Sequence, residues 1–560
     1  MREDWPVQGT TGYEFASLVL DLLVDPSGED GLSQTYTGFV GQHHSFDEIV
    51  RECKIRIMLN EMASELSVLA RDAARVARQN ARTSDFTRNI LQRGLKEIVA
   101  CFPVYRTYVD GTGKPTEADR RDIEWAVAQA RRNETDVDPS VFDFLQDLLT
   151  TDLVAAPRSG FSRHSVVRFA MRVQQYSGPV MAKGLEDTAF YRYNRFVALN
   201  EVGGHPDHFG VTLAAFHRAN AQRAERWPHA MLGTSTHDMK RGEDARARLA
   251  LLSEMPEEWA RQVQAWSRLL RARCGDVEGT APPDRNDEYL FYQLLVGAWP
   301  AELIGVENPD LEQLRSCSER IEGAMVKSMR EGKLRSTWAS PNTIYEEAVL
   351  DFVRGALDVS RPNAFLTMFL PFQERIARLG VYNSLVQTVL KLTLPGLPDF
   401  YQGAELWDLS LVDPDNRRPV DYQTRIKVLE EILTSLARNR SAAMLEMLER
   451  WRDGRIKLAM IAILLGYRCD QPELFARGDY EPITAVGGRA DQICAFARRG
   501  DETAMIVVAR RYPVRCEADP DWGSSEIPWP SSVTGDEIWR DSDRPKGGER
   551  RRRRPRTGSA

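Results

Sequence analysis

Apolar positions recur at helical spacing through most of this chain. Between Phe46 and Val76 they fall at Ile49, Cys53, Ile57, Met62, Leu66 and Leu69, the spacing of an apolar stripe on amphipathic helices. A further helix is expected from Ser84-Asp85 to Val99. Thr116 to Asp119 has the form of a capping box and opens a helix through Ala130. Val141 to Leu149 and Ser165 to Val173 keep the same period, so residues 46–174 read as a helical block. Later helices are expected over 257–273, 287–298, 310–329, 344–357 and 365–389, and again from Thr424 to about Leu465. A few segments depart from this pattern. Pro179-Val180-Met181 reads as a short buried strand. Leu392 to Leu394 runs into Pro395-Gly396-Leu397-Pro398 and reads as a strand end with a rigid loop. Ile493 to Ala497 and Met505 to Ala509 alternate like sheet, with Arg499-Gly500-Asp501 as the turn between them.

The most informative departure is Met231 to Leu249. A short apolar segment passes through a polar corner, Thr234 to Asp238, into an Arg-rich helix. Strand, turn and helix in that order form the βα unit of a parallel barrel. Such barrels place their active sites at the C-terminal strand ends. His237 and Asp238 stand there, so Asp238 is a candidate catalytic carboxylate, although an Asp in this position also serves as an ordinary helix N-cap. Gly178 to Gly204 offers Lys183, Glu186, Asp187, Tyr191 and Arg192. Composition leaves two readings of these open: a solvated helix start favoured by its dipole, or a wall of aromatics and paired charges for a sugar.

Bulk composition removes several function classes. The 560 residues carry 74 basic and 81 acidic side chains, a net charge of −7, so no overall field points to nucleic acid. The seven cysteines are scattered and form no Cys-x-x-Cys pair, which suits reduced thiols in the cytoplasm. His205 and His208 lie among Gly203, Gly204 and Pro206, a turn rather than a metal-binding helix face. The start of the chain is polar, and its most apolar run, Leu458 to Leu465, is too short to span a bilayer. No membrane, metal or cofactor is expected. Residues 518–560 are rich in Pro, Ser, Gly and Asp and end in a run of Arg from Arg550 to Arg554, the composition of a disordered basic tail.

His237-Asp238, followed much later by Pro395-Gly396-Leu397-Pro398 and Tyr401-Gln402-Gly403-Ala404-Glu405, resembles the last two strand-end motifs of the α-amylase clan of (β/α)8 barrels. Longer runs resemble one family in that clan, the maltooligosyltrehalose synthases. They are WPVQGTTGYEF (Trp5 to Phe15), FPVYRTY (Phe102 to Tyr108), GPVMAKGLEDTAFYRYNR (Gly178 to Arg195), LNEVGGHP (Leu199 to Pro206), STHDMKRGEDARARL (Ser235 to Leu249) and LPDFYQGAELWDLSLVDPDNRRPVDY (Leu397 to Tyr422).

The resemblance implies an α/β fold: the late strands of a TIM barrel, large helical insertions and a small C-terminal β region. The corresponding partition is a barrel-associated loop segment at 1–45 and a helical insertion at 46–174. Strands six and seven follow at 175–255, a second insertion at 256–360, strand eight with its loop at 361–435, a helix and small β region at 436–517, and the tail at 518–560. It also implies a reaction in which the reducing-end α-1,4 linkage of a maltooligosaccharide becomes an α,α-1,1 linkage by intramolecular transglycosylation. That chemistry is a retaining double displacement between two carboxyl groups about 5 Å apart. Asp238 would grip the distorted sugar and His237 would add a hydrogen bond. Lys183, Glu186, Asp187, Tyr191 and Arg192 would contact the terminal glucose, and Tyr401, Gln402 and Glu405 would shape the rim. In the clan the nucleophile Asp and acid/base Glu precede the Trp5 to Phe15 motif. A Gly-x-Arg-x-Asp string at Gly487 to Asp491 comes too late in the order to replace the first. The expectation is a C-terminal part of the enzyme, inactive alone, with an α-1,4-glucan as its ligand. A trehalose-releasing hydrolase of the same pathway is a possible partner. A fragment that only binds α-glucan, or another glycosidase or transglycosylase of the clan, are the alternatives.

Overall fold

A computed structural model describes residues 5–41, 44–156, 159–277, 279, 281–305, 310–412, 414–501 and 503–528. The Arg-rich run of the tail lies outside them. The chain divides into two compact units, one of residues 42–194 and 327–343, the other of 1–41, 195–326 and 344–560.

The first of these is helical. Its helices include Phe46–Leu59, Ala63–Ala77, Arg88–Ala100, Glu117–Asn133, Pro139–Leu149 and Arg163–Met181. All of these but Ala63–Ala77 start at a side-chain cap. Ser45 with Glu48, and Thr116 with Asp119, form reciprocal capping boxes. Thr87 caps the third helix, which therefore begins later than the Ser84-Asp85 start that composition suggests. Leu66, Leu69, Leu91, Leu95, Ile98, Ile123, Val127, Leu145, Leu148, Val166 and Phe169 close one continuous core.

The strand expected at Pro179-Val180-Met181 is not there; these residues end the Arg163–Met181 helix. Val173, Tyr176 and Val180 are all buried at helical spacing in the same core, and a three-residue apolar run cannot by itself separate strand from buried helix. Past Met181 the chain widens into a single π-helical turn, Ala182–Glu186. Gly184 allows this turn to lie against the backbone of Lys54, where a Cβ would collide.

The other unit carries the sheets. Strands β1 (Met231–Gly233) and β2 (Leu397–Asp399) pair in parallel, with Leu232 opposite Pro398. The second strand thus begins after the Pro395-Gly396 turn. The apolar Leu392 to Leu394 stretch ends the long Ala364–Thr393 helix and caps it instead of forming a strand. Gly396, at φ +134°, fits against the Leu232 side chain and the Ala230 carbonyl, where a side chain would collide. β3 (Asp479–Ile483), β4 (Ile493–Arg499) and β5 (Ala504–Arg510) form an antiparallel sheet in that order, as the alternation at 493–509 predicts. Phe15, Val19, Phe216, Leu232, Leu390, Leu394, Cys494 and Phe496 share one core. The helices expected over 424–465 are three, Tyr422–Arg438, Arg440–Glu449 and Arg455–Asp470. The run breaks at Asn439, which caps the second, and at Gly454, whose φ of +74° no continuing helix adopts.

Candidate active site

The corner after β1 is fixed by side chains that bond to its backbone and to Ser235. The Asp238 amide donates to Thr236 Oγ1 at 3.2 Å. The Lys240 amide donates to Glu201 Oε2 at 2.6 Å. Asn416 Nδ2 donates to the carbonyls of His237 at 3.2 Å and Met239 at 2.9 Å. Ser235 Oγ donates to Asp408 Oδ2 at 3.0 Å. With its main chain held, the corner presents His237 and Asp238 outward, their side chains 58% and 51% exposed. His237 Nε2 stands 3.2 Å from Asp238 Oδ1, and the Arg417 guanidinium stands 3.7 Å from the same oxygen.

The loop after β2 supplies the rest of the rim. Burial raises the pKa of the Tyr401 phenol; the Arg417 guanidinium opposes that shift, while the carboxylates of Asp408 and Asp238 reinforce it. Tyr401, Asp408, Arg417 and Asp238 are therefore within electrostatic reach of one another. Gln402 is exposed in the same turn. Glu405 is turned to Arg425, 3.0 Å away, and Arg425 also donates to the Gly403 carbonyl at 3.1 Å. It braces the loop rather than facing the corner.

Lys183, Glu186, Asp187, Tyr191 and Arg192 belong to the helical unit. The π-turn brings Lys183 Nζ within 2.6 Å of Asp187 Oδ2 at the surface. Buried Glu186 accepts the hydroxyl of Tyr105. Two of the family-like runs, FPVYRTY and KGLEDTAFYRYNR, thus meet at this bond. Arg192 Nε donates to the Gly332 carbonyl at 2.6 Å, and Tyr191 is buried. Within its own unit this set is one polar patch around the π-turn, with Lys183 its most exposed member.

Several residues around the corner lie inside the family-like runs but are not singled out by any local pattern. Glu201 is buried; burial raises its pKa against the pull of Arg246, Arg241 and Lys240. Asn416 and Arg417 stand in a run that composition marks only as a turn. Below the corner, Glu243 and Asp244 open the Glu243–Ala250 helix and meet Lys391 and Lys457, all fully or almost fully buried. Burial works against the ionised form of Glu243, but Lys391 and Lys457 outweigh it and hold the carboxyl below its usual range. Among the described residues no cluster of three His, Cys, Asp or Glu could hold a metal ion, and no helix is long and apolar enough to cross a membrane.

No protein-family model matches the chain. A Mycobacterium tuberculosis protein assigned by name to maltooligosyl trehalose synthase is 32% identical over 536 residues, 95% of this chain and 60% of the relative. The solved structure of maltooligosyltrehalose synthase from Arthrobacter ramosus superposes with a TM-score of 0.74 at 32% identity, over 94% of this chain and 60% of that one. A second crystal structure of maltooligosyl trehalose synthase gives 0.68 at 27% identity, over 92% and 58%. The chain therefore spans about 60% of the length of the relatives it matches. Over the stretch that it shares with them, the chain is similar in sequence and fold to maltooligosyltrehalose synthases.

Proposed function

We propose that the His237–Asp238 corner is the sugar-gripping part of a maltooligosyltrehalose synthase site, acting on the reducing end of an α-1,4-glucan. The observation that carries this reading is the state of Asp238. Among the described carboxylates around the corner, Asp408 accepts from Ser235 and Ser410, Asp415 is paired with Arg320, and Glu405 with Arg425. Asp238 is half exposed and lies beside a histidine and an arginine, free to accept sugar hydroxyls. A carboxylate placed this way gains most when the ring distorts, so its contribution falls mainly on the transition state. β1 and β2 read as the seventh and eighth strands of a (β/α)8 barrel, because they are parallel and both carry the site residues at their C-terminal ends. Lys183, Glu186, Asp187, Tyr191 and Arg192 read as a further set of sugar contacts on their own unit. A reducing cytoplasm fits seven free cysteines, one of them exposed.

The conversion of an α-1,4 to an α,α-1,1 linkage also needs a nucleophile and an acid/base about 5 Å apart. With its neighbours committed to serines and arginines, Asp238 alone does not supply that pair. The expectation is that the 560-residue chain binds maltooligosaccharide without turning it over. Titration calorimetry with maltopentaose tests the first half: binding is expected, and weaker binding by Asp238→Ala. No binding by the unaltered chain sinks the sugar reading. Reducing ends followed over time test the second half. Their conversion to a non-reducing product means that the chain holds its own catalytic pair.

A further inference from the structure

The proposed chemistry leaves four buried charges beneath the corner unused. Lys457 Nζ lies 2.7 Å from Glu243 Oε1, and donates to Asp244 Oδ2 at 2.7 Å and to the Leu406 carbonyl at 3.1 Å. Lys391 Nζ donates to Thr234 Oγ1 at 2.7 Å and to Glu243 Oε2 at 3.4 Å, and stands 3.8 Å from the centre of the Phe400 ring. Two ammonium groups and two carboxylates balance. Burial of such a set is weak grounds for stability, since well-packed apolar side chains of the same volume often do as well. Its distinctive property is direction: each group points at a particular backbone atom or hydroxyl.

Those targets are the segments that build the corner. Asp244 Oδ2 accepts the amide of Asp408 at 2.6 Å. The Asp408 carbonyl accepts the Asp244 amide at 3.1 Å, and the Ser410 carbonyl accepts the Gly242 amide at 2.8 Å. The 408–410 backbone thus takes up donors that the first turn of the Glu243–Ala250 helix would otherwise leave unsatisfied, as its Gly242 cap has no side chain to do so. The Asp408 carboxylate then accepts from Ser235 at 3.0 Å, three residues before Asp238.

We propose that Lys457 and Asp244 are positioning residues of the sugar site: they hold the Leu406–Ser410 segment in register with the helix start, and Asp408 passes that register to the Ser235–Asp238 corner. This rests on the reading of the corner as a sugar site. The same logic gives the Leu406–Ser410 segment a fixed seat although it has no helix or strand of its own.

The test uses the full chain with Lys457→Met, Asp244→Asn and, as a control, Ile483→Val, whose core of Ala485, Ile493, Ala495 and Ala497 holds no residue of the corner or of these charges. Hydrogen exchange at the Asp408 amide and maltopentaose affinity are both measured. Lys457→Met is expected to speed exchange at Asp408 by tenfold or more, while the β3–β5 amides keep their protection, and to weaken maltopentaose about tenfold. Asp244→Asn, which keeps an acceptor for the Asp408 amide, is expected to give a smaller change of the same kind; it decides the matter if Lys457→Met does not fold. Ile483→Val is expected to lower the melting temperature and leave both readouts at the unaltered level. Unchanged exchange at Asp408 overturns the proposal, and so does a loosened loop with unchanged affinity. If the unaltered chain binds no maltopentaose, the sugar reading falls, and exchange at Asp408 still decides whether the lysine and carboxylate hold the loop.

Discussion

Asp238 and Asp244 are six residues apart in sequence and lie in opposite surroundings. The first is half exposed, between His237 and Arg417. The second is buried, with its carboxylate committed to Lys457 and the Asp408 amide. Both belong to the same family-like run. The difference shows how one short stretch divides its charges. The acids at the helix start are spent on backbone geometry, and the acid at the corner stays half exposed. A salt bridge at the surface contributes little to stability, about 0–1 kcal/mol, whereas breaking a buried one strands an uncompensated charge. Side chains of one type should therefore separate cleanly into structural and functional classes when substituted.

The largest effect is expected at the floor. Lys391→Met removes one of the two cations facing Glu243 and Asp244, and takes one of two partners from Thr234, whose hydroxyl also donates to Glu243. Removing one member of a buried charge set costs about 3–5 kcal/mol. Urea unfolding should show a loss of that size. A loss under about 1 kcal/mol would place the floor with the surface pairs and remove the contrast.

Asp21 sharpens the comparison by showing burial without the lysines. Burial raises its carboxyl to about 7, whereas two neighbouring ammonium groups hold Glu243 below its usual range. The folded chain then keeps a proton on Asp21 that the unfolded chain releases near pH 4. The folded state binds more protons across that window, so this group's contribution to stability is full below about pH 4 and is lost as pH rises through about 7. The slope is at most about 1.4 kcal/mol per pH unit. Asp21→Asn should flatten the decline in melting temperature between pH 5 and 7; an identical decline in both proteins would assign it to other groups.

A smaller loss is expected from Gly242→Ala. Its backbone is ordinary, with φ of −58°, but an added Cβ would collide with the carbonyl oxygen and carboxyl of Asp408. Overpacking of this kind costs about 1–3 kcal/mol. Because the collision falls on the loop after β2, maltopentaose affinity should drop together with stability. A drop in stability alone would uncouple the loop from the sugar site.

These residues also mark what the sequence makes legible. The helices of 46–174 and the β4–β5 hairpin follow from local period and caps, so the order of residues alone is enough to place them. Pro179 to Met181 is different, because three apolar residues fit a buried helix as well as a strand, and only the placement of Val180 in the helical core decides it. His237 and Asp238 are legible as adjacent polar residues after an apolar segment. The floor is not. Lys457 stands beside the most apolar run of the chain, and a lone lysine there is the available signal. Its partners Glu243 and Asp244 lie more than two hundred residues earlier, and no local pattern connects them. Asn416 and Arg417 are hidden for the same reason, since their contacts reach back to His237 and Asp238.

The smallest expected change in stability is the one that most directly tests the division of labour. Asp238→Asn keeps the shape of the side chain and removes its charge. It ends the ion pair with Arg417 at 3.7 Å and alters the contact with His237 at 3.2 Å, but both partners remain in water and need no replacement. The contacts that fix the corner come from Thr236, Glu201, Asn416 and Asp408, and none of these uses the Asp238 carboxylate. Unfolding free energy should therefore change by no more than about 0.5 kcal/mol, the usual range for a surface substitution. Maltopentaose affinity should fall all the same, because a carboxylate accepts sugar hydroxyls more strongly than a neutral amide does. A stability loss comparable with that of Lys391→Met would make Asp238 another structural acid. Unchanged affinity with unchanged stability would leave the carboxylate without either role, and the corner would have to bind its ligand through His237 and Tyr401 alone.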